Sequence, residues 1–173
     1  MGFDIFVILN SMAISKFKRR SKSTTFQPIR LAVSVGVCLA TGFVGSLVTT
    51  PTISSWYRYL NQPVLAPPNW IFAPVWTILY ILMGISLYLA WSHRARLTWF
   101  WVQLGLNANW SLAFFGLRSP KLGLLNIIVL WLSIVLTIRD FRRKSAFAAW
   151  LLVPYLIWVS FATYLNWAIW RLN

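Results

Sequence analysis

Acidic side chains are nearly absent from this 173-residue chain, which has two of them, Asp4 and Asp140, against 16 Lys and Arg residues. Charged residues make up 10% of the sequence and hydrophobic residues 59%, whereas about 25% of a soluble domain is charged. A soluble fold of this size cannot bury so much apolar surface. The composition therefore excludes an ordinary soluble domain and predicts a protein that resides in a membrane.

The sequence is also poor in the side chains that carry conventional catalysis or bind metals. It has one His, His93, and one Cys, Cys38, whereas a zinc site needs about four ligands. Cys38 lies in an apolar run, where a thiol packs as a small hydrophobe. A Ser-His-Asp triad would need His93 and Asp140, which both fall in short basic loops. We therefore predict no catalytic residue, no metal site and no enzymatic role of the conventional acid–base kind.

Long apolar segments are what the chain has in abundance. Five of them are long enough for a transmembrane helix, and none alternates as a barrel strand does. We predict an all-α, polytopic membrane protein, a bundle of five transmembrane helices within residues 29–173. Residues 1–28 are predicted to be an N-terminal extension, apolar and then basic. The predicted helices cover residues 31–48, 70–91, 97–117, 122–138 and 146–170.

One connection between these segments is long and the others are short. Residues 49–69 contain Pro51, Pro63, Pro67 and Pro68, which predict turns rather than helix through much of this loop. The short connections predict that consecutive helices are antiparallel neighbours. Pro154, inside the fifth segment, predicts a kink there.

The basic residues lie mostly on one side of the predicted bundle. They occur in residues 16–30 and in the loops after the second and fourth segments. Because cytoplasmic loops are enriched in Lys and Arg, we predict a multi-pass protein with its N-terminus inside and its C-terminus outside. Nucleic-acid binding by the cluster at 16–22 is the competing interpretation, but every other basic run obeys the membrane rule, so we predict membrane lipid and no nucleic acid as a partner. A prokaryotic cell membrane or an organelle membrane fits a helical protein of this kind.

Polar and Trp side chains of the predicted helices concentrate in the outer half, beneath the Pro-rich loop. At 1.5 Å per residue, Trp76 lies roughly 9 Å and Trp158 roughly 18 Å below the outer end. Such a distribution favours a cavity with aromatic walls and a few amides, which suits a flat, largely apolar ligand. The candidate residues are Trp76, Tyr80, Asn107, Trp110, Asn126, Trp158 and Ala162.

The same residues have a second interpretation. An interfacial aromatic belt explains most of the 12 Trp residues in a membrane protein. Asn and Ser side chains inside the spans can also bond neighbouring helices to each other. The pattern alone leaves a ligand cavity and ordinary bundle packing equally open.

Several long motifs occur together and in one order. By these motifs the sequence strongly resembles the TspO/MBR family, the family of tryptophan-rich sensory proteins and translocator proteins, also known as peripheral benzodiazepine receptors. The resemblance covers residues 31–173. The motifs are Trp56-Tyr57, Leu60-Asn61-Gln62-Pro63, Pro67-Pro68-Asn69-Trp70-Ile71-Phe72-Ala73-Pro74-Val75-Trp76-Thr77-Ile78-Leu79-Tyr80, Asn107-Ala108-Asn109-Trp110-Ser111, Phe114-Phe115-Gly116, Val153-Pro154-Tyr155 with Trp158, and Leu165-Asn166-Trp167-Ala168-Ile169-Trp170-Arg171-Leu172-Asn173.

The resemblance implies a five-helix bundle that is commonly a homodimer. It implies non-covalent binding of porphyrins, such as protoporphyrin IX and haem, and of steroid-like small molecules in a pocket under the first loop. The residues that correspond to the pocket of the family are Trp76 and Trp158, the third-helix Asn107, and the loop pair Trp56 and Tyr57.

The chain departs from the family in that loop, because Gln62 replaces a basic residue and Leu65 replaces a Trp. The function that the resemblance implies is the binding and sensing of porphyrins, which regulates tetrapyrrole levels or a stress response. Two alternatives remain open. One is transport of porphyrins or sterol-like molecules across the membrane, and the other is light- and oxygen-dependent porphyrin degradation by Trp residues.

Overall fold

The computed structural model describes residues 26–173, and this part of the chain consists of helices and turns. The predicted extension therefore lies outside the described residues up to position 25. The α-helices of the described part are α1 (Pro28–Ser55), α2 (Phe72–Ser92), α3 (Thr98–Ser111), α4 (Pro120–Arg142), α5 (Ala146–Trp150) and α6 (Val153–Leu172). Short 3-10 turns cover Tyr57–Tyr59 and Asn69–Ile71, and a π-helical turn covers Leu112–Gly116.

The helices confirm the prediction of an all-α, multi-pass membrane protein. Four helical stretches are long and apolar enough to cross a membrane: Pro28–Ser55, Asn69–Ser92, Pro120–Arg142 and Ala146–Leu172. The remaining stretch joins α3 to its π-helical turn, from Thr98 to Gly116. At 1.5 Å per residue it is about 28 Å long, which is close to the thickness of the hydrocarbon core.

The first helix is longer than the sequence predicts, and it corrects the expectation of turns after residue 48. α1 continues through Pro51 to Ser55. Proline removes a single helical hydrogen bond, and nearby hydroxyl groups add bonds of their own. The Thr52 hydroxyl donates to the Val48 carbonyl at 2.8 Å, and the Ser55 hydroxyl donates to the Pro51 carbonyl at 2.8 Å. The long loop is therefore shorter than predicted and begins at Trp56.

The fifth segment is interrupted where the sequence predicts a kink. α5 ends at Trp150 and α6 begins at Val153, so that Pro154 lies in the first turn of α6. Proline is tolerated at that position because its missing N–H would have no helical acceptor. α5 and α6 still form one continuous span, because the Leu156 N–H donates to the Leu152 carbonyl at 3.0 Å across the interruption.

The helices form a ring in the order α1, α2, the fifth segment (α5 and α6), α4 and α3. The prediction that consecutive helices are neighbours is therefore wrong for α2 and α3, because α1 packs between them on that side of the ring. α1, by contrast, packs against both α2 and α3. The contact between α2 and α6 is thin.

Two hydrogen bonds define the ends of the bundle. The Gln27 N–H donates to the Tyr88 hydroxyl at 3.1 Å, so the start of α1 lies beside the end of α2. The Asn61 N–H donates to the Asn173 side-chain oxygen at 2.9 Å, which places the first loop beside the last residue after α6. We call the end that carries the first loop the loop end, and the other the opposite end.

The best-packed part of the core lies toward the opposite end. Phe100 and Phe141 are fully buried, and their rings stack with centroids 5.9 Å apart. The Ser86 hydroxyl donates to the Ala148 carbonyl at 2.7 Å and ties α2 to α5. These contacts pack the opposite half of the bundle tightly, and this half supports the loop end.

Candidate ligand-binding cavity

A cavity of about 430 Å³ opens between α1, α2, α3 with its π-helical turn, and α6, beneath the first loop. Its volume lies within the range of small-molecule sites, roughly 300–1,000 Å³. It is lined by Leu39, Gly42, Phe43, Gly45, Ser46, Thr49, Thr50, Ile53, Tyr57, Asn69, Phe72, Ala73, Trp76, Thr77, Tyr80, Asn107, Trp110, Ser111, Phe114, Phe115, Ala162, Leu165, Asn166 and Ile169.

The floor of the cavity is a hydrogen-bonded group centred on Asn107. The Tyr80 hydroxyl donates to the Asn107 side-chain oxygen, and the Asn107 amide donates to the Tyr155 hydroxyl at 2.9 Å. All three side chains are buried. Because an unpartnered polar group is costly away from water, this group holds α2, α3 and α6 in one arrangement.

Trp76 lies directly above this floor. Its ring is 5.6 Å from that of Tyr80 and 6.2 Å from that of Tyr155, between centroids. Trp76 is only partly buried and lines the cavity. Its face is therefore available for stacking against a flat ligand.

A second pair of polar side chains fixes the wall formed by α3 and α6. The Trp110 indole N–H donates to the Asn166 side-chain oxygen at 3.1 Å, and the Asn166 amide donates to the Pro120 carbonyl at 2.7 Å. The Trp110 ring also stacks on Phe114, with centroids 5.3 Å apart. The orientation of Trp110 is thus set from two sides.

The π-helical turn Leu112–Gly116 builds the part of the wall under the loop. It presents Phe114 and Phe115, whose ring centroids are 4.8 Å apart. Tyr57 packs on Phe115 at 5.6 Å, and Trp56 packs on Phe114 at 5.7 Å. Burial raises the pKa of Tyr57 above its usual value, so this phenol stays neutral in the physiological range. π-turns often mark functional sites.

The first loop is held in place by hydrogen bonds rather than by the side chains expected from the family. The Gln62 amide donates to the Tyr57 carbonyl at 3.1 Å and stabilises the 3-10 turn. The Asn61 amide donates to the Leu172 carbonyl at 3.2 Å, and the Asn173 amide donates to the Asn61 carbonyl at 3.3 Å. Leu65 is 61% exposed and does not line the cavity.

The structure brings most of the sequence-predicted site residues together. Those that line the cavity are Tyr57, Trp76, Tyr80, Asn107, Trp110 and Ala162. Trp56 is not among the lining residues and supports the wall from behind through Phe114.

Trp158 and Asn126 lie outside the cavity. The Trp158 ring packs on Phe72 at 5.9 Å, and its buried indole N–H has no hydrogen-bond partner. Asn126 accepts from Asn109 at 2.8 Å and donates to the Leu106 carbonyl at 2.9 Å, so it joins α4 to α3. Asn126 therefore bonds two neighbouring helices to each other, which is the second interpretation given in the sequence analysis.

Sequence reasoning missed the part of the wall that α1 supplies. Gly42, Gly45, Ser46 and Thr49 recur at helical spacing and line the cavity. A Cβ at Gly45 would lie 3.0 Å from the Ser111 hydroxyl oxygen, so α1 approaches α3 closely there. The Gly, Ser and Thr residues on this face of α1 could have indicated the wall in the sequence. A helix that faces only lipid does not require small or hydroxylated residues there.

The lining is aromatic, aliphatic and neutral-polar, and none of the lining residues is charged or a His, Cys or Met. In residues 26–173 no three His, Cys, Asp or Glu side chains form a metal-binding group. The arrangement can stack on flat rings and offer neutral hydrogen-bonding groups. The fold and this cavity define a multi-pass helical membrane protein with an aromatic, uncharged candidate binding cavity under its first loop.

Comparison with known proteins identifies the family. The model of the TspO/MBR family matches residues 34–171, and the chain belongs to this family. The chain is 47% identical to the tryptophan-rich protein TspO of Chlorobaculum tepidum over 85% of this chain and 98% of that protein. It is 36% identical to the tryptophan-rich sensory protein of Cereibacter sphaeroides, over 80% and 88%. It is 35% identical to the human translocator protein, over 76% and 82%. The resemblance seen in the sequence motifs is thereby confirmed.

Proposed function

We propose that this chain is an integral membrane sensory protein that binds porphyrins, such as protoporphyrin IX and haem, and other flat hydrophobic ligands in the cavity under its first loop. Steroid-like molecules form a second ligand class with the same flat, apolar shape. The observation that carries the proposal is the position of Trp76, partly exposed above a hydrogen-bonded floor. Binding would report tetrapyrrole levels or stress and thereby regulate them.

The lining chemistry supports ring contacts rather than coordination. No His, Cys or Met lines the cavity, the Tyr80 hydroxyl is bonded to Asn107, and burial raises the pKa of the Tyr57 phenol. Haem would therefore be held through its macrocycle like the metal-free porphyrin. The porphyrin carboxylates find no cation in the lining and would remain at the rim. Arg58 lies in the first loop, with its guanidinium 5.1 Å above the Tyr59 ring, and is the cation nearest in sequence to the lining residue Tyr57.

The closed floor favours binding over transport across the bundle. Asn107 links Tyr80 and Tyr155 directly below the cavity, and the core toward the opposite end is tightly packed. A passage through the bundle would have to break these buried hydrogen bonds. The names of the relatives, sensory protein and translocator protein, also favour a role other than catalysis.

The basic residues support the orientation that we propose, with the N-terminus inside. Arg94 and Arg96 follow α2, and Arg143 and Lys144 follow α4, all at the opposite end of the bundle. Because cytoplasmic loops are enriched in such residues, we propose that the first loop and the cavity lie at the outer side. We further propose that the protein is a homodimer in a prokaryotic cell membrane or an organelle membrane.

A porphyrin titration tests the proposed function. Protoporphyrin IX should quench the Trp fluorescence of the purified protein saturably, and Trp76→Ala should weaken the affinity about tenfold or more by removing the stacking face. Trp150→Ala is the matched control, because Trp150 is 69% exposed and does not line the cavity. Equal affinities of wild type and Trp76→Ala would contradict the assignment of the site, and absence of saturation would contradict porphyrin binding.

A further inference from the structure

Part of the cavity wall is also the outer surface of the bundle. Phe43 of α1 lines the cavity and is 66% exposed, and Ala73 and Thr77 of α2 line the cavity and are exposed as well. We propose that the cavity opens sideways into the bilayer between α1 and α2, and that its ligands enter and leave through the lipid. The inference rests on the proposed function. We call this opening the α1–α2 mouth; it is formed by Leu39, Phe43, Ser46, Thr50, Ala73 and Thr77.

The seam between α1 and α2 is closed toward the opposite end and open toward the loop end. A Cβ at Gly84 would lie 2.5 Å from the Val35 Cα, so the two backbones are in contact there. Nearer the loop end, Gly42 lies against the Tyr80 ring, where an added Cβ would overlap the ring. Beyond this point both helices contribute residues to the cavity lining, Ser46 and Thr50 from α1 and Ala73 from α2.

Where the first loop packs on the π-helical turn and on the end of α6, the route from water into the cavity is closed. Tyr57 is buried between the loop and Phe115. Asn61 and Asn173 exchange hydrogen bonds at 2.9 and 3.3 Å, which fixes the loop against the end of α6. Ligand passage on that side would require the loop to detach, whereas the α1–α2 mouth is already open.

The chemistry of the mouth matches the inside of a membrane. The Ser46 hydroxyl donates to the Phe43 carbonyl at 2.7 Å, and the Thr77 hydroxyl donates to the Ala73 carbonyl at 2.8 Å. These hydroxyls are satisfied within their own helices, and the mouth contains no charged side chain. A charge is costly inside the bilayer. The mouth therefore admits an uncharged ligand, or one whose charged groups remain at the membrane interface.

The depth of the mouth agrees with loading from lipid. Thr77 lies roughly 8 Å below the start of α2, and Leu39 lies roughly 24 Å below the end of α1, at 1.5 Å per residue. α1 is about 42 Å long by the same rise, which exceeds the hydrocarbon thickness of about 30 Å. The opening therefore runs from the interface into the hydrocarbon region.

Cysteine labelling at the mouth tests this route in vesicles of phosphatidylcholine. Ser46→Cys would be reacted with a bulky, non-fluorescent maleimide, and native Cys38 is fully buried, so the wild type stays unlabelled. Val44→Cys is the matched control, because Val44 is 57% exposed on the same helix and does not line the cavity. Leu65→Cys carries the same label in the first loop, at a position that is 61% exposed and does not line the cavity.

The probe is protoporphyrin IX dimethyl ester, an uncharged porphyrin that dissolves in the bilayer, followed by quenching of Trp fluorescence. A label on Ser46→Cys should slow both association and dissociation about tenfold, as expected for an obstructed route, whereas a label that only displaced the ligand from the cavity would speed dissociation. Labels on Val44→Cys and Leu65→Cys should change neither rate. The dimethyl ester should bind at least as tightly as the dicarboxylate, because no lining residue offers a positive charge.

Two results would overturn the inference. One is saturable binding with unchanged exchange rates in labelled Ser46→Cys, and the other is slower exchange only in labelled Leu65→Cys, which would place the route in the first loop. Both leave the proposed function intact. If the wild type shows no saturable quenching with either form of the porphyrin, the proposed function fails and this inference fails with it.

Discussion

The two halves of the bundle are built from the same kinds of residue but packed in different ways. Toward the opposite end, Phe100, Ile134 and Phe141 have no exposed surface, and the aromatic rings stack on each other. Toward the loop end, Trp76 packs on the rings of Tyr80 and Tyr155, Tyr57 packs on Phe115, and both Trp76 and Tyr57 line the open cavity.

This difference shows how a chain that is apolar throughout can keep a cavity open. Apolar side chains alone would collapse into it, because apolar packing has no preferred direction. At the loop end, directional contacts hold the walls apart: the Asn107 group at the floor, the bond between Trp110 and Asn166, and the π-helical turn. We expect stability to depend mainly on the opposite half and ligand binding mainly on the loop half.

The largest effect on stability is expected from Phe141→Ala. Removing a fully buried ring that stacks on Phe100 should lower the free energy of unfolding by about 3–5 kcal/mol. The change would be measured as the shift in thermal unfolding in detergent. Protoporphyrin IX affinity at a temperature where the variant is folded should match wild type. A loss of affinity in the folded variant would contradict the expectation that stability depends on the opposite half and ligand binding on the loop half.

An intermediate effect is expected from Asn107→Ala, which removes the centre of the cavity floor. The Tyr80 and Tyr155 hydroxyls would lose their partner while buried, which costs about 1–3 kcal/mol of stability. Porphyrin affinity should fall as well, because Trp76 rests on both tyrosines. Asn126→Ala is the matched control; it should leave the affinity unchanged, since Asn126 joins α3 and α4 outside the cavity. Equal affinities of the two variants would contradict the role of the floor.

The smallest effect is expected from Asn61→Ala. The bond from its exposed amide to the Leu172 carbonyl is lost, while both backbone bonds to Asn173 can persist. The expected loss of stability is therefore at most about 1 kcal/mol. Amide hydrogen exchange of the first loop should rise locally, with protection of the opposite half unchanged. Faster exchange throughout the bundle would show that the two halves are coupled more closely than their packing indicates.

The sequence predicted the membrane class, the apolar segments and the interruption at Pro154, because each follows from local composition. It misjudged the end of α1, since Pro51 was weighed as a breaker although neighbouring hydroxyls and carbonyls compensate for it. It also missed that α1 packs between α2 and α3. Loop length restricts how far apart two helices can lie, but it does not determine which third helix packs between them.

The candidate site was predicted better from side-chain type than from helix position. Trp76, Tyr80 and Asn107 were predicted because they lie in the outer half of the helices, beneath the loop, and they line the cavity. Asn126 satisfied the same test and instead bonds two helices to each other. The distinction depends on which way a helix is rotated about its axis, and the many apolar residues around each helix leave that rotation undefined in the sequence.

The hydrogen bonds between Asn61 and Asn173 also matter for how the protein is handled. Asn173 is held by the loop and by the Ile169 carbonyl at 2.9 Å, so an affinity tag fused directly behind it would crowd the cover of the cavity. Such a fusion would alter porphyrin affinity without touching any lining residue. A purification handle at the other end of the bundle, or one removed by protease before titration, avoids that artefact.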